Sequence, residues 1–112
     1  MDRPELQISV SRAPAEAVVT LAGEIDMLTA PRLAATVNDL LTEPPPPRIM
    51  LDLGGVTFCD SQGLGTLVVL SRKATTAQSV LVLTNVAGFL MRVLDITGLR
   101  SALMIHSDSS TS

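Results

Sequence analysis

Tryptophan and tyrosine are absent from this chain, and Phe58 and Phe89 are its only aromatic residues. The core must therefore be aliphatic, and the stacking platforms that hold single-stranded nucleic acid are missing. A formal net charge of −3 likewise argues against nonspecific binding to DNA. A single cysteine, Cys59, excludes an internal disulfide, and there is no CxxC or Cys/His grouping to hold zinc. Met1-Asp2-Arg3-Pro4 lacks the basic-then-apolar pattern of a signal peptide. The strongest apolar runs, such as Leu67–Leu70, fall far short of the ~20 residues needed to span a bilayer. The expectation is a cytoplasmic protein that uses neither membrane nor nucleic acid, with no cofactor and no metal.

What the chain does have is aliphatic surface to bury. Hydrophobic residues make up 46% of its 112 positions, which excludes disorder except at the ends. A chain of this length buries roughly two-thirds of its unfolded surface, enough for one self-sufficient core. One domain over 1–106 is expected, followed by a frayed Ser-rich tail, Ser107–Ser112.

Periodicity organises that domain. Leu6, Ile8 and Val10 alternate with polar residues as a half-buried strand does, and Val18–Ala22 is a second strand beyond a turn at Pro14. Thr29 is placed to cap a helix with Pro31 in its first turn and Leu33, Val37, Leu40 and Leu41 inward. Pro44–Pro47 end it and stiffen the approach to a strand at Ile49–Leu53. A second helix follows, with Leu64, Leu67, Val68 and Ser71 facing inward. Val69 and Leu70 widen its apolar arc, either to pack beneath a loop or to meet a partner. Val80–Leu83 reads as an interior strand covered on both faces. Asn85 is placed to cap a third helix, which Gly98 ends, and Ala102–Ile105 is the last strand. The order ββαβαβαβ calls for an α/β fold with a mostly parallel sheet. Sites in such folds lie beyond the carboxyl ends of the strands, where both Asp26 and Asp60-Ser61 fall.

Asp60-Ser61-Gln62-Gly63 puts a hydroxyl beside a carboxylate at a helix start, where free N–H groups and the helix dipole favour negative charge. Three uses are open to Ser61: a phosphorylation switch, a nucleophile or a cap. The nucleophile reading fails, because Cys59 stands where G-x-S-x-G requires glycine. The lone His106 also has no assigned role beside Ser61. Gly63-Leu64-Gly65 lacks the third glycine of a dinucleotide fingerprint, and no phosphate-binding G-x-x-x-x-G-K-[ST] occurs. Gly63 and Gly65 read as close-packing residues that let the helix approach the sheet, or, since two glycines opening a helix cost roughly 1 kcal/mol each relative to alanine, as a helix start that must stay bare or let a partner's backbone come close. Cys59 reads as a small space-filling residue, with redox sensitivity as its other use. Arg72-Lys73 read as a solvated helix end, with steering of an acidic partner as theirs.

Four segments in register carry a resemblance. Leu21-Ala22-Gly23-Glu24-Ile25-Asp26 followed by Thr29-Ala30-Pro31, then Leu51-Asp52-Leu53, then Val56-x-Phe58-x-Asp60-Ser61-Gln62-Gly63-Leu64-Gly65, and Ile96-Thr97-Gly98-Leu99 resemble the bacterial STAS-domain anti-sigma factor antagonists. The resemblance implies a STAS-like fold and a binding protein rather than an enzyme. It implies capture of a serine-kinase anti-sigma factor, which frees a sigma factor, and phosphorylation of Ser61 by that kinase, which ends capture. A serine phosphatase would reverse the modification. Asp26, Asp60, Ser61, Gln62, Gly63 and Gly65 take the positions of partner contact, and a monomer or weak dimer is expected. Two departures stand out. Gln62 occupies a position where the family usually carries a small residue, and the family's C-terminal helix has no counterpart before the chain ends. The alternative is a STAS module without phosphorylation, one that senses a small ligand or redox state or serves within a larger signalling complex.

Overall fold

The computed structural model describes residues 5–42 and 44–106, so the expectation for the tail at 107–112 lies outside the described residues. Five strands form one sheet in the order β1-β2-β3-β4-β5. They are β1 (Leu6–Arg12), β2 (Glu16–Ile25), β3 (Arg48–Cys59), β4 (Val80–Thr84) and β5 (Met104–His106). β1 pairs antiparallel with β2, and every later pairing is parallel. Helices α1 (Ala30–Thr42), α2 (Ser61–Thr76) and α3 (Gly88–Thr97) make the crossovers, and a 3₁₀ turn at Leu99–Ala102 precedes β5. Each crossover steps to the neighbouring strand in the same direction. Right-handed connections therefore put all three helices on one face.

Burial follows that arrangement. Ala17, Val19, Leu21, Ile49, Leu51, Leu53, Leu81 and Leu83 are buried on the helix side, against Leu33, Val37 and Leu40 of α1 and Leu64, Leu67 and Leu70 of α2. Leu90 and Leu94 of α3 complete this aliphatic core. β4 is interior by position but covered by helices on one face only. Val80 is exposed, and Val82 is buried because Met50 and Met104 flank it in register on the open face.

Other expectations shift for identifiable reasons. The inward face of α2 is Leu64, Leu67, Leu70 and Ala74, so Leu70 belongs to the core, while Val68 and Ser71 are only half-buried. Asn85 does not cap α3. It takes a left-handed conformation (φ 54°), which asparagine tolerates, and its amide donates to Asp52 Oδ1 at 3.1 Å to close the end of β4. Ala87 stands at the start of α3 without a side-chain cap. The last strand begins two residues later than expected because the 3₁₀ turn takes up Ala102. The prolines do more than stiffen a loop: the carbonyls of Pro46 and Pro47 accept from Ser79 Oγ (2.7 Å) and the Val80 N–H (3.1 Å), anchoring the start of β4.

One feature of the sheet positions the site. β3 pairs with β4 only as far as Asp52↔Thr84, yet it stays paired with β2 up to Cys59. β2 and β3 thus run on past the end of β4 as a two-stranded ribbon, flanked by β1 as far as Gly23, with register shifts on both sides of that glycine. Gly23 permits this bend, because its φ is 121° and a Cβ there would strike the carbonyl of Glu5.

Candidate functional site

β2 and β3 end side by side, with Ile25 opposite Cys59, and the ribbon therefore delivers Asp26 and Asp60 to the same edge. The Asp60 N–H donates to the Ile25 carbonyl at 3.1 Å, which locks the two exits together.

Asp60 is the N-cap of α2. Its backbone is extended (φ −92°, ψ −175°), and its Oδ1 accepts from the Gly63 N–H at 2.8 Å. The cap role belongs to Asp60, which frees Ser61 from it. Ser61 is the first residue of the helix and Gln62 the second, and both are exposed. The N–H groups of the first turn have no intrahelical partner, so the Ser61 hydroxyl stands in a positive local field.

Gly63 and Gly65 separate sharply. A Cβ on Gly63 would lie 2.7 Å from the Ile25 carbonyl oxygen and 2.8 Å from Cys59 Sγ. That glycine lets α2 sit down on the ends of β2 and β3, so its requirement is internal. A Cβ on Gly65 would meet nothing within 4 Å. Nothing inside the fold asks for glycine there.

Asp26 is buried and committed to its own turn. Its Oδ1 accepts from the N–H groups of Leu28 (2.9 Å) and Thr29 (3.0 Å), while its N–H donates to Thr29 Oγ1 (2.9 Å). The Thr29 hydroxyl in turn donates to the Glu24 carbonyl at 2.7 Å. Thr29 precedes α1 as expected, but its side chain faces back into the turn instead of capping the helix. This reciprocal pair presents two residues that the sequence pattern does not single out: Met27 and Leu28, 64% and 68% exposed. Hydrophobic side chains next to a candidate site, at the tip of a turn, are the signal that would have found them.

Beside Ser61 a depression of ≈ 340 Å³ opens between α2 and Ala34 of α1. Ser61, Gln62, Gly65, Thr66, Val69 and Lys73 line it. Gln62 is exposed and lines this depression beside Ser61. Asp26 does not line it.

Burial pushes the Cys59 thiol up to about 12, with the charge of Asp60 adding to the effect. A thiol kept protonated is a poor nucleophile, which favours packing over redox sensing at this position. Cys59 should therefore resist a disulfide reagent at pH 8 in the folded protein and react fully after denaturation. Equal labelling rates in the two states would reverse that reading. The sign for stability follows. The folded thiol holds its proton above the ordinary value of 9.0, so this contribution is complete below pH 9 and is lost as pH climbs toward 12.

Among the described residues no helix is long and apolar enough to cross a membrane. Comparison with known proteins agrees with the geometry. The anti-sigma-B factor antagonist of Bacillus subtilis (strain 168) is 32% identical over 104 residues, covering 93% of this chain and 94% of that protein. The crystal structure of an anti-sigma factor antagonist from Mycobacterium paratuberculosis superposes with a TM-score of 0.80 at 26% identity, over 94% of this chain and 88% of that one. The unphosphorylated form of the anti-sigma factor antagonist SpoIIAA shares the fold, with a TM-score of 0.75 at 18% identity over 91% and 90% of the two chains. Residues 8–105 match the family described as Mlab, STAS domain, and the chain belongs to the STAS domain family.

Proposed function

We propose that this protein is an anti-sigma factor antagonist that captures a serine-kinase anti-sigma factor and is switched off by phosphorylation of Ser61. One observation carries the reading: Ser61 is exposed at the first position of α2, released from capping by Asp60, and lies beside a glycine that the fold does not need. The names of the relatives support the antagonist role, and the exposed Met27 and Leu28, in the turn that follows β2, supply apolar surface at the same end of the sheet.

The switch follows from local electrostatics. Transfer of the γ-phosphoryl group of ATP to Ser61 Oγ releases ADP and passes the hydroxyl proton to a base of the kinase. The phosphate brings about −1.5 to −2 charge to a helix start, where dipole and free N–H groups tolerate it without unfolding the domain. The same charge, next to Asp60, repels acidic groups of the partner and takes up space at the contact. A serine phosphatase resets the system.

The test is direct. Incubation with the cognate anti-sigma kinase and ATP should place a single phosphate on Ser61, located by tandem mass spectrometry, and none on Ser61→Ala. Ser61→Ala should bind the kinase as the wild type does, and Ser61→Glu at least about tenfold more weakly. Phosphate on another residue of an otherwise unmodified chain, or equal binding by the two variants, would overturn the switch.

A further inference from the structure

The family motif ends at Gly65, but the exposed stripe that contains Ser61 and Gly65 does not. Val69 and Lys73 follow at the same four-residue step, on the same side of α2. Val69 is 50% exposed in the middle of the helix. The depression beside Ser61 reaches Lys73 and adjoins a second one of ≈ 400 Å³ lined by Val69, Arg72, Lys73, Thr76 and Ala77. From Ser61 to Ala77 this surface runs about 24 Å along the helix.

Its cations lie at the far end, while Asp60 flanks the end at Ser61. The chain as a whole is acidic, at −3, yet α2 has no carboxylate in its 16 residues and carries Arg72 and Lys73 as its only charges. Neither forms an ion pair among the described residues, whose salt bridges are Arg48–Glu16 and Arg100–Asp95. Only the uncharged Ala34 of α1 reaches the depression.

We infer that this stripe is a docking groove for an elongated acidic segment of the anti-sigma factor, with Val69 as its apolar contact and Arg72 and Lys73 as the clamp for its carboxylates. The inference rests on the proposed function and extends it: the motif residues provide the switch, and the far end of α2 selects the partner by charge. Ser61 and Lys73 are about 18 Å apart along the axis, beyond the Debye length of about 8 Å at physiological salt. A phosphate on Ser61 therefore leaves the clamp itself intact, and the two ends act on the same occupant independently.

Titration calorimetry of the full chain with the cognate anti-sigma factor, at low and at physiological salt, decides the matter. Wild-type binding should weaken as salt rises. Arg72→Glu with Lys73→Glu should weaken binding about tenfold at low salt and flatten the salt dependence. Combined with Ser61→Glu, the losses should multiply, as they do for separated sites. Circular dichroism of the variants checks that they fold. Wild-type affinity and salt dependence in the charge-reversed variant would confine Arg72 and Lys73 to complementing the helix dipole, and tighter binding would mean a basic occupant. Either result overturns the groove and leaves the antagonist reading standing. An anti-sigma factor that fails to bind the wild type removes both.

Discussion

Gly63→Ala should destabilise the protein by about 2 kcal/mol, while Gly65→Ala should stabilise it by up to about 1 kcal/mol and weaken capture of the anti-sigma factor. The two substitutions are chemically identical and lie in the same turn. At Gly63 the new methyl group meets the Ile25 carbonyl, which is already accepting from Asp60, and the sulfur of Cys59. Relief requires α2 to lift from the strand ends, which also strains the Asp60 cap on the Gly63 N–H. Overpacking of this kind costs about 3 kcal/mol, and the better helix propensity of alanine returns about 1 of it. At Gly65 the methyl group enters open space, so only the propensity gain remains. On the proposed function, a partner backbone that comes close there accounts for a glycine at that thermodynamic disadvantage. Urea denaturation gives the first pair of numbers and calorimetry with the anti-sigma factor the second. A Gly65→Ala variant that is more stable and still binds at full strength would detach Gly65 from the interface.

Asp26→Ala should lower stability by about 1–2 kcal/mol, because the Leu28 N–H loses its side-chain acceptor and the buried Thr29 N–H keeps only the Asp26 carbonyl at 3.2 Å. Asp26→Asn keeps an Oδ1 acceptor in the same place and should retain most of that stability. The pair separates two roles of Asp26. If the residue acts by shaping the turn that presents Met27 and Leu28, affinity for the anti-sigma factor will fall in Asp26→Ala and recover in Asp26→Asn. If its negative charge is read by the partner, both variants will bind weakly although Asp26→Asn is stable. The depth of Asp26 and its engagement with Leu28 and Thr29 lead us to expect the first outcome. Denaturation curves measured beside the binding isotherms decide it.

The elements themselves were legible in the residues because their signals are local. Alternation of Leu6 and Ile8 marks an edge strand, four prolines must stop a helix, and Leu33, Val37 and Leu40 can share a core only on a helix. The placement of Asp26 and Asp60-Ser61 at strand exits was equally readable, since β–α order alone dictates it. What local pattern did not contain was rotation and register. Glycines 63 and 65 look equivalent in a string, but two residues turn a helix by about 200°, so one faces the strand ends and the other faces out. Which face of α2 turns inward depended on where β3 released it, and Leu70 and Ala74 went to the core in place of Val68 and Ser71. Asn85 has a capping side chain, but the end of β4 required a left-handed residue, and Asp52 across the sheet took its amide. Asp26 had the charge of a contact residue, yet its carboxylate was claimed by a turn closed through Thr29. Hydrophobic spacing is a one-dimensional property of the chain. The exposure of Ser61 and the long bare side of α2 arise from contacts between segments far apart in it, whereas Asp26 is committed by a turn of its own neighbours, whose conformation hydrophobic spacing does not encode.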